Sequence, residues 1–146
     1  MVTVHAACCA LGGAGVLIRG PSGSGKSSLA LLLAAATDGA FVADDRVVCT
    51  AEAGRVVARP HAALAGRVEV RGQGILPVAE LGVACRDQAI LLLAVDLVDA
   101  APRMPEPADD AELLGIALPR LVLDAGVRAA GLALLLIRAA LRKQPP

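Results

Sequence analysis

The sequence predicts an α/β fold: a mixed, hairpin-rich sheet served by few helices. Three observations carry this. An apolar run at residues 15–19 leads through a glycine-rich stretch into a helical segment at about 26–37. Further runs rich in β-formers are bounded by Gly, Pro and Asp, the spacing of strands and turns. Only one other segment, 127–143, has the length and composition of a helix. With 146 residues, the chain suits one domain over 1–146 with one core.

In chain order, residues 2–10 are rich in β-formers and small apolar residues and read as a strand, and Leu11-Gly12-Gly13-Ala14-Gly15 as a turn. Residues 15–19 form a continuous apolar run, the pattern of a buried strand. The helix that follows ends at Asp38-Gly39, a common C-terminal signal. Ala40-Phe41-Val42-Ala43 is a short buried strand running into Asp44-Asp45. Residues 47–50 and 55–58 read as a hairpin, broken by Pro60. The stretch Arg67-Val68-Glu69-Val70-Arg71-Gly72 alternates polar with apolar, as a half-buried strand does, and Gly72-Gln73-Gly74 turns the chain. Residues 89–95 are a central strand, and 118–123 are one more. Residues 99–110, with Pro102, Pro105, Pro107 and four acids, read as an exposed loop. The closing helix at 127–143 ends in basic residues that suit its dipole. No repeat or interdomain linker is visible.

Hydrophobic residues make up 56% of the chain and Phe41 is the only aromatic, so Ala, Val, Leu and Ile must build the core. That leaves no aromatic platform for stacking bases. The formal net charge is zero, from 14 basic and 14 acidic residues, which argues against non-specific nucleic-acid binding. Cys8, Cys9, Cys49 and Cys85 make no C-x-x-C pair or zinc pattern; they read as buried free thiols of a reducing cytoplasm. The first residues carry no basic segment of a secretory signal. The longest late apolar run, 129–137, is about half of what spans a bilayer, so no membrane partner is expected.

The chemistry centres on Gly20-Pro21-Ser22-Gly23-Ser24-Gly25-Lys26-Ser27, which fits G-x-x-x-x-G-K-[ST], the phosphate-binding P-loop. Its glycines let backbone N–H groups curl around phosphate, and the helix start, with Ser28, adds unpaired donors and a positive dipole end. Lys26 can reach the terminal phosphates, and the Ser27 hydroxyl can ligate Mg²⁺. A second acid is needed near the metal, and two candidates compete. Asp96 ends the run Ile90-Leu91-Leu92-Leu93-Ala94-Val95, the common Walker-B appearance. The pair Asp44-Asp45 ends the strand after the P-loop helix, and a strand–P-loop–helix–strand unit can lay that strand beside the first. Adjacent acids alternate in direction, so one can face Mg²⁺ and the other a substrate hydroxyl. Glu69 and Arg71, two apart, share a face of their strand, as an exposed ion pair or as part of the phosphate site. His5, on a strand, reads more readily as structural than as catalytic.

Together these segments resemble the catalytic domain of the HPr kinase/phosphorylase family. His5 ahead of Gly15-Val16-Leu17-Ile18-Arg19-Gly20 through Ala30 matches the family's His before "GVLI-G-SG-GKS--A". Val42-Ala43-Asp44-Asp45-Arg46-Val47 is similar to its "VADD-V", and Val68-Glu69-Val70-Arg71-Gly72-Gln73-Gly74-Ile75-Leu76 to its signature "-E-RG-GI-". The matching segments run from residue 4 to about 76.

The resemblance implies a fold like that of phosphoenolpyruvate carboxykinases. It implies an enzyme that uses ATP and Mg²⁺ to phosphorylate a serine of HPr, a small phosphocarrier of the sugar phosphotransferase system, or of its nitrogen-pathway relative. The family also removes that phosphate with inorganic phosphate, releasing pyrophosphate. Long members carry an added N-terminal domain and assemble as hexamers. The resemblance therefore implies a homo-oligomer, and this chain looks like the short, catalytic-domain form of some proteobacteria. Carried over, Lys26 binds phosphates, and Ser27 and Glu69 are Mg²⁺ ligands. Asp44 is the base for the serine hydroxyl and the acid in reverse, Asp45 supports it, and His5 and Arg71 line the site. The family's late "PVRPGRN" segment, with its arginine, is missing: the region reads Leu123-Asp124-Ala125-Gly126-Val127-Arg128-Ala129-Ala130, with Arg128 near the place.

Two other readings stand beside this one. A small-molecule P-loop kinase usually carries an arginine-rich lid, whereas loop 99–110 is acidic and holds only Arg103. A non-catalytic ATP sensor needs no base, whereas Asp44 and Glu69 are both present.

Overall fold

The computed structural model describes residues 1–143; the last three residues of the predicted domain, 144–146, lie outside the described residues. The strands are β1 (Val2–Val4), β2 (Ala7–Leu11), β3 (Ala14–Arg19), β4 (Gly39–Ala43), β5 (Val47–Glu52), β6 (Arg55–Pro60), β7 (Arg67–Val70), β8 (Gly74–Pro77), β9 (Ala89–Leu97), β10 (Ala111–Leu113), β11 (Ile116–Leu118) and β12 (Arg120–Leu123). The helices are α1 (Lys26–Ala34), α2 (Ala125–Ala129) and α3 (Ala133–Arg142).

The main sheet has eight strands in the order β1-β5-β6-β9-β3-β2-β4, with β12 also paired to β9. It is mixed: β9 runs parallel to β3 and β12, while β2 runs antiparallel to both β3 and β4. The strand after the P-loop helix therefore does not lie beside β3, as the sequence suggested; β2 sits between them. Two antiparallel pairings leave β4 parallel to β3 in direction, so both strands end at the same edge of the sheet. The P-loop and Asp44-Asp45 thus still share one end. The outer edge of β4 is covered by the segment around Cys85: the Phe41 N–H donates to Ala84 O at 2.7 Å, and the Arg86 N–H to Phe41 O at 2.9 Å.

Alternation along the strands sends side chains to two faces. One face gathers Val16, Ile18, Phe41, Leu93, Val95 and Leu97 beneath α1 and α3. The other gathers Cys8, Leu17, Val47, Cys49, Val56 and Leu91, with Leu118 of the β10–β11 hairpin packed on them. Phe41 is the one aromatic among these core residues, which are otherwise aliphatic or cysteine. Three of the four thiols are buried, and burial pushes Cys9 up to about 12 and Cys49 to about 11. Cys85 is exposed, contrary to the expectation of four buried thiols.

Several predicted elements differ. The first strand breaks at His5-Ala6, where the Ala6 N–H turns to Asp45 O at 3.3 Å. The alternating stretch at 67–70 is not part of the main sheet but pairs with β8 in a separate hairpin, its Val68 packed into the core under α1. The closing helix is two helices: Gly131, at φ 75, ends α2 before α3 begins. Loop 99–110 is exposed and without regular structure except for half-buried Ala101. No helix among the described residues is long and apolar enough to cross a membrane.

Candidate active site

The loop between β3 and α1 takes its form from its glycines. Gly23 (φ 81) and Gly25 (φ 94) occupy the left-handed region that side chains resist. A β-carbon at Gly20 would stand 2.6 Å from Ser24 Oγ and 3.1 Å from Leu97 Cβ. Gly25 caps α1 with no side-chain hydrogen bond, and the first turn holds no acid, so its N–H groups are available to an anion. Lys26 folds back over the loop, its Nζ donating to Gly20 O at 2.8 Å and Pro21 O at 3.1 Å. Ser24 Oγ is buried with no partner among the described residues.

Asp44 stands at the end of β4, 6% exposed. Its Oδ1 accepts from Ser27 Oγ at 2.5 Å and its Oδ2 from the Glu69 N–H at 2.9 Å, so one carboxylate ties the P-loop helix to β7. No cation pairs with it among the described residues. Asp45 follows with a left-handed backbone, φ 66. This bend cancels the alternation expected of adjacent strand residues, and both acids face the same cavity. Asp45 Oδ1 lies 2.6 Å from His5 Nε2, and the two side chains remain 53% and 63% exposed. His5 is therefore no satisfied core residue; it lies at the cavity beside an acid.

The cavity measures about 280 Å³. The loop and helix start contribute Ser22, Gly23, Gly25, Lys26, Ser27 and Ser28. His5, Asp44 and Asp45 line it from the ends of the strands, and Glu69 and Arg71 from the β7 hairpin. Gly20, Pro21 and Ser24 shape the loop without lining the cavity. Glu69 and Arg71 form no ion pair with each other; the Arg71 guanidinium instead reaches toward Gly23. Among the described residues no group of three His, Cys, Asp or Glu side chains gathers as a metal cage. Mg²⁺ at a nucleotide site needs none, since it keeps waters and takes one or two protein oxygens plus phosphate. The hydroxyl of Ser27 and the carboxylate of Glu69, on one cavity with a phosphate-ready loop, fit such an ion.

Asp96 is not part of this site. It accepts from Arg19 Nε at 2.7 Å, Arg19 Nη2 at 2.9 Å and Arg120 Nε at 2.5 Å, which ties β3, β9 and β12 together. Partial burial pulls its carboxyl up, but the two guanidiniums outweigh that and hold it below the usual range. Arg128 is likewise committed, its Nη1 donating to Val98 O at 3.0 Å and Leu123 O at 2.5 Å. A second, smaller hollow of about 130 Å³ shares Asp44, Asp45 and Glu69 with the first. Sequence reasoning did not anticipate it; its one visible signal was Ile75, an exposed apolar residue in β8 directly after the glycine turn.

The family model for the HPr serine kinase C-terminal domain matches residues 1–143, well beyond the segments that carried the resemblance. The HPr kinase/phosphorylase of Aromatoleum aromaticum is 37% identical over 131 residues, covering 84% of this chain and 42% of the relative. That of Streptococcus thermophilus is 35% identical over 127 residues, covering 82% and 41%. The chain thus spans about two fifths of the length of these relatives. The solved structure of the Hpr(Ser) kinase/phosphatase from Coxiella burnetii superposes with a TM-score of 0.82 over 99% of this chain and 100% of that one, at 24% identity, which establishes the shared fold. A match along nearly the whole chain leaves one assignment: the chain belongs to the HPr serine kinase C-terminal domain family.

Proposed function

We propose that this domain is an ATP- and Mg²⁺-dependent protein serine kinase acting on an HPr-type phosphocarrier. The observation that carries the reading is the convergence of Lys26, Ser27, Asp44, Asp45, Glu69 and Arg71 on one cavity. A sensor that only binds ATP needs one acid for Mg²⁺, whereas this cavity holds three, Asp44, Asp45 and Glu69.

In this reading the P-loop N–H groups and Lys26 hold the ATP phosphates, and Arg71 takes up charge near Gly23. Ser27 and Glu69 hold Mg²⁺, which when bound neutralises charge developing on the phosphates. Asp44 takes the proton from the acceptor serine as its oxygen bonds to the γ-phosphorus and the bond to the β-phosphate oxygen breaks, leaving ADP. The contacts from Ser27 and the Glu69 N–H fix the carboxylate while leaving it lone pairs to accept that proton. Asp45 and His5 form a paired rim next to it. In the opposite direction an oxygen of inorganic phosphate would bond to the phosphoserine phosphorus as its bond to the serine oxygen breaks, Asp44 would return the proton to that oxygen, and pyrophosphate would leave. Arg128, nearest to the family's late arginine, is spent on backbone carbonyls, which favours the kinase direction.

The test is incubation with ATP, Mg²⁺ and the HPr proteins of the same genome, with the phosphate located by mass spectrometry. A phosphoserine on one HPr protein is the expected result. Phosphate on a metabolite and on no protein favours a small-molecule kinase; ATP binding without transfer favours a sensor.

A further inference from the structure

The smaller hollow lies beyond the acids from the P-loop. It shares Asp44, Asp45 and Glu69 with the phosphate cavity, has no P-loop residue, and adds Leu64, Arg67, Val68 and Ile75. The β7–β8 hairpin links the two. Arg67, Glu69 and Arg71 are two apart and share one side of the hairpin, and Ile75 is the cross-strand partner of Glu69. This side presents Arg71 to the phosphate cavity, Glu69 to both hollows, and Arg67 with Ile75 to the smaller one. Ile75 is 62% exposed, an apolar side chain held in water beside three acids. Arg67 has no ion-pair partner among the described residues. At about 130 Å³ the hollow falls below the roughly 300 Å³ where small-molecule sites begin, and suits a single side chain.

We infer that Leu64, Arg67 and Ile75 form an acceptor-side subsite, in which the protein substrate seats an aliphatic side chain next to its phosphorylated serine and presents a carboxylate to Arg67. The inference rests on the kinase reading above and deepens it. The donor lies on the P-loop side of Asp44, so an in-line acceptor must approach from elsewhere, and the hollow that also touches Asp44 is continuous with that approach. Covering Ile75 with an aliphatic partner removes both from water. Arg67 is the only cation lining the hollow, and a carboxylate placed beside it is oriented by a charge-assisted bond.

The experiment compares wild type, Ile75→Lys, Ile75→Leu and Arg67→Glu in phosphotransfer to an HPr protein, with ATP affinity measured by calorimetry. Both side chains are exposed, so folding is expected to survive, and a thermal melt checks it. Ile75→Lys and Arg67→Glu should each raise KM for the phosphocarrier about tenfold, the scale of losing an interface anchor. Ile75→Leu should keep it, and ATP affinity should stay at the wild-type value in all three. Replacing the phosphocarrier's facing carboxylate by Lys should restore transfer by Arg67→Glu. If wild type phosphorylates HPr and the variants do so with unchanged KM, the subsite is overturned alone. If they lose ATP affinity in parallel, the hollow belongs to the nucleotide and the subsite is again overturned. A wild type that phosphorylates no HPr protein overturns the kinase reading, and the subsite with it.

Discussion

Asp44 and Asp96 each close an apolar strand at the same edge of one sheet, yet their surroundings are opposite. Asp96 is 17% exposed and clamped by two arginines, Arg19 and Arg120, so its charge is already balanced. Asp44 is more deeply buried and meets only a hydroxyl and a backbone N–H, with no cation to balance it among the described residues. Holding a buried carboxylate without a counter-charge is costly. Such an arrangement belongs where a cation or a proton is to arrive, and Asp44 sits on the cavity where both are wanted. Asp96 ties strands together; Asp44 is the base of the proposed phosphotransfer.

The largest expected effect separates the two by rate. Asp44→Asn should slow phosphotransfer by about 10²–10⁴-fold, the usual worth of a general base. The amide oxygen can still accept from the Glu69 N–H while its nitrogen donates to Ser27 Oγ, so both contacts survive and stability should change by less than about 1 kcal/mol. Lys26→Ala tests whether the loop beside Asp44 cradles phosphate. ATP affinity should fall roughly 10- to 100-fold, the equivalent of one charge-assisted hydrogen bond, with little change in melting temperature.

Asp96→Asn should behave in the opposite sense, losing stability and keeping chemistry. The loss should be about 2–4 kcal/mol, somewhat under that of a fully buried pair, since the two arginines are 30% and 31% exposed. Its pH dependence has a definite sign. The folded carboxyl lies below its usual value, so it stabilises above the unfolded value and that contribution fades as pH falls through the folded one. The gap between wild type and Asp96→Asn should therefore be widest near neutral pH and narrow below about pH 4. A gap that widens in acid would contradict the clamp. The smallest effect belongs to Glu69→Gln. Its side chain is exposed and its N–H still reaches Asp44, so stability should hold while the Mg²⁺ needed for half-maximal rate rises about tenfold, one lost charged ligand's worth. An unchanged Mg²⁺ titration would remove Glu69 from the metal.

What the sequence made legible was local. The strand, glycine loop and α1 follow from an apolar run, three glycines and a helix-forming stretch, all within some twenty residues. Asp44-Asp45 and Glu69 stood out through adjacency and alternation. What stayed hidden depended on residues far apart in the chain. Nothing near Asp96 announces Arg19, 77 residues away, so an apolar run ending in Asp looked like a metal ligand. The insertion of β2 between β3 and β4 is a matter of pairing, which local pattern does not carry. Gly131 ends α2 through a left-handed backbone, and a lone glycine inside an otherwise helical stretch does not announce that break. The bend at Asp45 that turns both acids into one cavity is equally invisible, because Asp is tolerated there and glycine would have been the only clear signal.

The central claim is that the acid at the end of β4, and not the one at the end of β9, serves phosphoryl transfer. The most direct measurement is the initial rate of phosphoserine formation on an HPr protein by Asp44→Asn and Asp96→Asn side by side, at saturating ATP and Mg²⁺ and at a temperature where melting curves show both folded. The expected result is a rate for Asp96→Asn close to wild type and one for Asp44→Asn lower by about 10²-fold or more. The reverse order, with Asp96→Asn inactive and Asp44→Asn near wild type, would contradict it.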